Sequence, residues 1–184
     1  MKVFLNPGHA PGIDSGATNN SYGVTEAEIC RDIGAKVEQY LKAAGCEVMT
    51  VQSDNLAGES TGTNVTANAN AWPADVFVSL HCNSAADSTA QGTECLVFGA
   101  DSAPARNLAD CIQHQIVHSL GTVDRGLKAR PNLIVLKDTD MPATLVEMAF
   151  ISNFKDVVLL TQHQDDFARA IARGVTDYIS EGRG

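Results

Sequence analysis

Four residues stand where the surrounding pattern favours another type. His9 follows the apolar run Val3, Phe4, Leu5 inside "NPGHAPGIDSG", His81 ends "DVFVSLH", Glu147 interrupts "ATLVEMAF", and Glu26 opens a helical segment. Loops that leave strand ends commonly carry functional side chains, and open α/β sheets bind ligands at the carboxyl ends of their strands. A helix start favours an ionised carboxylate. A hydrolytic zinc centre takes three protein ligands from His and Glu, leaves one position for water, and needs a further carboxylate to accept that water's proton. Two histidines and two glutamates meet that requirement. The same residues also suit a turn histidine, a helix-start charge and half of a buried ion pair, so residue types alone leave both readings open.

A rival motif lies further along. "HQIVH" places His114 and His118 four apart, as in the HExxH zinc helix, with Gln115 in the position of the catalytic glutamate. Glutamine cannot act as a general base. At about 100° per residue the two histidines also point away from the stripe Leu108, Ile112, Ile116, Leu120, which reads as a solvated helix face.

The elements that must position these residues alternate along the chain. Residues 2–5 read as a strand. The segment "VTEAEICRDIGAKVEQYLKAAG" spaces Ile29, Ile33, Val37, Tyr40, Leu41 and Ala44 as a helix, with a capping box of Thr25 and Glu28 and a stop at Gly45. A strand over 46–51, a polar loop "QSDNLAGESTGTN" and a short helix around 63–71 follow. "DVFVSLH" and "GTECLVFG" read as strands, 103–120 as a helix, "LIVLKD" and "ATLVEMAF" as two more strands, and Asp165 to about Ile179 as a closing helix. Asn153 with Asp156 resembles a helix start, which gives Ser152 and Asn153 a structural role. The order predicts one α/β domain over residues 1–184, a twisted and mostly parallel sheet of about six strands with helices on both faces.

Composition narrows the partners. With 184 residues, 44% of them hydrophobic, the chain can build one sizeable core. Its net charge of −9 comes without a Lys/Arg cluster, which argues against nucleic acid and anionic membranes as partners. No apolar run approaches membrane-spanning length, so no membrane insertion is expected. Cys30, Cys46, Cys82, Cys95 and Cys111 are odd in number and contain no CxxC pair, as suits reduced core thiols. A monomer is the expected state.

Four blocks together resemble the catalytic domain of the zinc-dependent N-acetylmuramoyl-L-alanine amidases, the amidase type 3 family. They are "NPGH"; "TEAEICRDIGAKVEQYLKAAGCEV"; "ADVFVSLHCNS", similar to AD-x-F-x-S-x-H-x-N; and "DRGLKARPNLIVLKDTDMPATLVEMAFISN", similar to RG-x-K, VL and MPA-x-L-x-E-x-x-F-x-S-N. The resemblance runs over essentially the whole chain. It implies one zinc ion held by His9, Glu26 and His81, with Glu147 as the catalytic carboxylate. Aligning the helix through Ile33, Gly34 and "LKAAGCEV" puts Glu26 on the ligand and leaves Glu28 to the capping box. The implied reaction is hydrolysis of the amide between N-acetylmuramic acid and L-alanine in peptidoglycan, with Asn83 and Arg125 as candidate substrate contacts.

The chain departs from the family pattern where arginines are usual: Gln52 follows the second strand, and Thr63, Asn64 and Val65 precede the AD segment. Cys30 stands where asparagine is frequent. These changes spare the implied metal set and bear on the groove wall. The alternatives are a zinc peptidase or carboxypeptidase acting on the peptide stem, and a non-catalytic wall-binding module. The absence of a basic n-region with an apolar h-region suggests an endolysin or autolysin that reaches the wall by holin action or lysis, or else a piece of a secreted protein.

Overall fold

Alternate residues of the central strands face opposite sides of one sheet, and both sides are apolar. The computed structural model describes residues 1–57, 62–99 and 101–181. Part of the segment predicted as a polar loop, residues 58–61, lies outside the described residues. The elements are β1 (Lys2–Pro7), β2 (Thr18–Asn19), β3 (Val24–Thr25), α1 (Glu26–Ala43), β4 (Glu47–Thr50), α2 (Val65–Ala71), β5 (Val76–Asn83), β6 (Thr93–Val97), α3 (Ala103–Leu120), β7 (Asp124–Ala129), α4 (Ile134–Lys137), β8 (Ala143–Phe150), α5 (Phe154–Gln162) and α6 (Gln164–Ser180). The main sheet has six strands in the order β4-β1-β5-β8-β6-β7, and β2 and β3 form a small hairpin beside it. Every pairing in the main sheet is parallel except that of β6 with β8. The expected fold class is therefore the observed one.

Val3, Leu5, Val78, Leu80 and Val146 pack on one face against α1, α3 and α6, through Ile33, Leu41, Leu108, Ile112, Phe167 and Ile171 among others. Phe4, Phe77 and Leu145 face the other way, under Val65 and Ala69 of α2 and Val135 and Leu136 of α4. On this second face the sheet grades from apolar to polar toward its strand carboxyl ends. Phe4 stacks on Phe77 with ring centroids 5.5 Å apart, then the Ser79 hydroxyl donates to Asn6 Oδ1 at 2.8 Å, and the next row carries His81 and Glu147.

Two element assignments differ from the sequence reading. "LIVLKD" is not a strand but contains the short helix α4, in which Val135 and Leu136 are buried while Ile134 and Lys137 are exposed. Two adjacent inward residues flanked by two outward ones is one helical turn, a pattern that a run this short does not distinguish from a strand by composition. The sixth strand is instead β7, "DRGLKA", a charged and half-exposed edge strand whose register on β6 shifts between Thr93 and Cys95. Gly126, at φ +68°, sits within that irregular stretch. Of the five cysteines, Cys30, Cys82 and Cys95 are buried, as expected of core thiols, whereas Cys46 and Cys111 are only half-buried.

Helices α3 and α6 touch at Gly174, where a Cβ would come within 2.5 Å of the Ile112 Cα. Backbone cannot yield there as a flexible side chain would. Gly174→Ala is therefore expected to lower the unfolding free energy by about 1–3 kcal/mol in urea titration.

Candidate active site

The first ligand-type residue enters from β1. After Pro7 the chain turns, and His9 adopts φ +61°, the single non-glycine residue among those described with positive φ. This places its ring against the start of α1, where His9 Nε2 lies 3.1 Å from Glu26 Oε2. Its other nitrogen, Nδ1, lies 2.7 Å from Asp14 Oδ2. Asp14 is itself held by the Gly16 amide, which donates to Oδ1 at 3.0 Å.

Glu26 occupies the first turn of α1 and is buried. Thr25 caps the helix by accepting from the Glu28 amide, and its hydroxyl donates to Glu28 Oε2 at 2.8 Å, so Glu28 is spent in the cap and Glu26 is free to turn inward. The Glu26 carboxylate accepts from the Ala17 amide at 2.9 Å and the Cys82 amide at 3.0 Å, and its Oε1 lies 2.9 Å from His81 Nδ1. Burial opposes its ionisation, but the two imidazoles and the amide outweigh it and hold the carboxyl well below its ordinary range. The hydrogen bond to Glu26, with help from Asp14, raises His9 to about 9 against the opposing effect of burial.

Two glycines make this approach possible. A Cβ at Gly8 would meet the His81 ring at 2.4 Å, and one at Gly16, whose φ is +62°, would meet His9 at 2.5 Å and Glu26 at 2.6 Å. Gly8 thus gives space for a neighbouring ring, while the left-handed turn itself falls on His9. Gln52 donates to the carbonyls of Gly8 at 3.1 Å and Ala27 at 2.9 Å. It thereby joins the two backbone turns that carry His9 and Glu26.

The fourth residue comes from β8. Glu147 is in register with His81 on β5 and with Glu94 on β6, so these three side chains form one row across the sheet. Glu147 is half-buried, and its Oε2 is fully buried with no hydrogen-bond partner among the described residues. Burial, followed by the Glu26 and Glu94 carboxylates, pushes its pKa up to about 8. Glu94 is tied down in turn: Arg125 Nε donates to its Oε2 at 2.8 Å, and Asn83 Nδ2 to its Oε1 at 3.3 Å.

His9, Glu26, His81 and Glu147 line one cavity of about 440 Å³ together with Asn83. A second, apolar hollow of about 160 Å³ adjoins it at His9 and His81, walled by Leu56, Leu133 and Val135. Arg125 does not line either hollow; its guanidinium lies 4.9 Å above the Phe150 ring and is engaged with Glu94. Of the six candidate residues, five are brought together, and Arg125 stands behind them.

Among the described residues, His9, Glu26 and His81 are the one group of three or more with ligand atoms clustered closely enough for a metal, all within 4.8 Å of one another. Two imidazoles and a carboxylate suit a borderline divalent ion, and the unpartnered Glu147 oxygen beside them provides an acceptor for a proton. His114 and His118 stack with ring centroids 5.9 Å apart on the exposed side of α3, away from this cavity, as a solvated face should. Sequence reasoning gave no role to Asp14, Glu94 or Arg130, which also lines the cavity. Asp14 had one available signal, an acidic residue in the same glycine-rich loop as His9.

A mostly parallel α/β sheet that presents two histidines, a buried glutamate and a poised carboxylate at its strand ends has the build of a metal-dependent hydrolase. The comparisons name it more closely. The family model described as N-acetylmuramoyl-L-alanine amidase matches residues 3–177, and the chain belongs to that family. It is 36% identical over 180 residues to the N-acetylmuramoyl-L-alanine amidase LytC of Bacillus subtilis, covering 96% of this chain and 35% of that protein. It is 37% identical to YqiI of the same organism, an uncharacterized protein, over 97% of this chain and 85% of that one. Among solved structures, the catalytic domain of the amidase CwlV from Bacillus (Paenibacillus) polymyxa var. colistinus superposes with a TM-score of 0.85 at 32% identity, covering 97% of this chain and 98% of that domain. The chain thus spans about a third of LytC and nearly all of an isolated amidase catalytic domain.

Asp14 fixes the orientation of His9 from behind, as carboxylates do for metal-binding histidines. If the triad holds a metal, Asp14→Ala is expected to weaken divalent-ion binding by about 10–100-fold in calorimetric titration while leaving the fold, read by circular dichroism, unchanged.

Proposed function

We propose that this chain is a single catalytic domain that binds one zinc ion through His9, Glu26 and His81 and hydrolyses the amide joining N-acetylmuramic acid to L-alanine in peptidoglycan. The observation that carries this reading is the convergence of those three donor groups beside a buried, unpartnered Glu147 oxygen, in a chain of the amidase family. When bound, zinc polarises the amide carbonyl and lowers the pKa of an attacking water. The protein's own residues supply the rest. Glu147 takes the proton of the attacking water at its carboxylate and hands it to the departing amine, a role for which a raised pKa near neutrality is suited. Asp14 sets the His9 tautomer, Asn83 faces the cavity as a substrate contact, and the Arg125–Glu94 pair holds the row beside Glu147. The setting is the bacterial cell wall, where cell wall amidases such as its relatives act; no helix among the described residues is long and apolar enough to cross a membrane.

The reaction is tested on purified peptidoglycan. Release of stems with a new N-terminal L-alanine supports the amidase, whereas other new amino termini identify a zinc peptidase instead. Glu147→Gln is expected to keep stoichiometric zinc, measured by elemental analysis, and to lose about 10²–10⁴-fold in turnover. His81→Ala is expected to lose the zinc as well.

Protons and zinc compete at His9. In protein stripped by chelation, a His9 pKa of about 9 keeps the ring charged at neutral pH, and it must become neutral to bind metal. Zinc binding at pH 7 should therefore release at least the His9 proton, read as a buffer-dependent binding enthalpy, and affinity should climb as pH rises toward 9. An enthalpy independent of buffer would contradict this.

A further inference from the structure

We infer that Arg130 is a specificity-determining residue that binds a carboxylate of the stem peptide, which makes its side of the cavity the peptide half of the groove. The inference rests on the amidase reading of the same site.

Among the described residues, Arg130 is the one Lys or Arg lining the cavity that holds Glu147. Its backbone is pinned: the amide donates to the Val97 carbonyl at 2.8 Å, and its own carbonyl accepts from the Leu133 amide at 3.2 Å, with Pro131 stiffening the turn between. The guanidinium is exposed and spends one hydrogen bond, Nη1 to the Ala129 carbonyl at 3.0 Å. Among the described residues no carboxylate forms an ion pair with it, whereas Arg125, on the β7 strand that ends at Ala129 just before it, is paired with Glu94 at 2.8 Å. A fixed base carrying a planar fork of unused donors, in a chain of net charge −9, is arranged for an anion that arrives from outside.

The substrate restricts which anion that can be. The lactyl carboxyl of N-acetylmuramic acid is consumed in the scissile amide, and the N-acetylated sugars are neutral. In a stem whose third residue is lysine, the form used in the test below, the carboxylates are on the peptide, at the α-position of its γ-linked second residue and at its C-terminus. Arg130 and the neighbouring Leu133 therefore face the peptide.

The test uses soluble muramoyl-peptides in three forms: free acid, amidated at the second residue, and amidated at the C-terminus. Wild-type kcat/KM is expected to fall by about tenfold on one of the two amides, the size of a single charge-assisted hydrogen-bonded pair, mainly through KM. Arg130→Gln should lose about the same factor on the free acid and nothing further on that amide, and Arg130→Lys should recover part of the loss. The sensitive amide identifies which carboxylate is read. Equal loss by Arg130→Gln on all three substrates, or no loss on any, overturns the assignment while leaving the amidase reading in place. Failure of the wild type to cleave any of the three overturns the amidase reading itself.

Discussion

The carboxylate of Glu26 accepts from the amides of Ala17 and Cys82 and lies against both His9 and His81, so one side chain ties the β1 loop, the start of α1 and the end of β5 together. Burying a carboxylate is unfavourable unless its lone pairs are satisfied, and here each oxygen has an amide and an imidazole. The neighbouring features follow from that geometry. Gly8 and Gly16 must lack side chains because rings and carboxylate occupy the space, and His9 must take a left-handed backbone to bring its ring to the same point. Gln52 then bridges the two turns and brings no additional charge beside the donors.

The row His81, Glu147 and Glu94 shows how the sheet itself contributes. Parallel pairing of β5 with β8 sets His81 beside Glu147, and the reversed direction of β6 sets Glu94 on the other flank. Two carboxylates on adjacent strands repel one another, and like charges directly opposite destabilise a sheet pair. Arg125 offsets this by binding Glu94 and lying over Phe150. Its charge is committed to a structural task, so the conspicuous arginine of "DRGLK" is not the cation that faces the cavity.

The sequence was legible where a residue's type conflicted with its local pattern. His81 and Glu147 interrupt apolar strands, and Glu26 competes with a neighbour whose capping pattern explains it, so each could be singled out. The fold class followed from alternating apolar runs for the same reason. Legibility failed where chemistry and local pattern agree. β7 is an edge strand with half-exposed charged residues, and α4 is one apolar turn, so each resembles something else until the sheet around it is known. Arg130 in a polar turn and Glu94 in a strand of otherwise ordinary composition acquire meaning only through what pairs with them, or fails to, across the sheet.

The protonation state that best stabilises this site is not the one in which it works. Glu26, held below its ordinary 4.5, contributes stability that is present above that value and is lost on acidification through its lowered pKa. His9, raised from 6.5 to about 9, contributes stability fully present below 6.5 and lost as pH climbs through 9. Glu147, raised from 4.5 to about 8 chiefly by burial, carries no cost below 4.5, and its cost to the folded state grows as pH rises from 4.5 and is complete above about 8. In the absence of a cation these three preferences overlap on the acidic side of neutrality, with Glu26 ionised, His9 charged and Glu147 neutral. The proposed reaction needs His9 neutral and Glu147 able to accept a proton. A divalent ion held by His9, Glu26 and His81 would reconcile the two demands, because it would replace the His9 proton as the positive partner of Glu26 and its charge would favour the ionised form of Glu147.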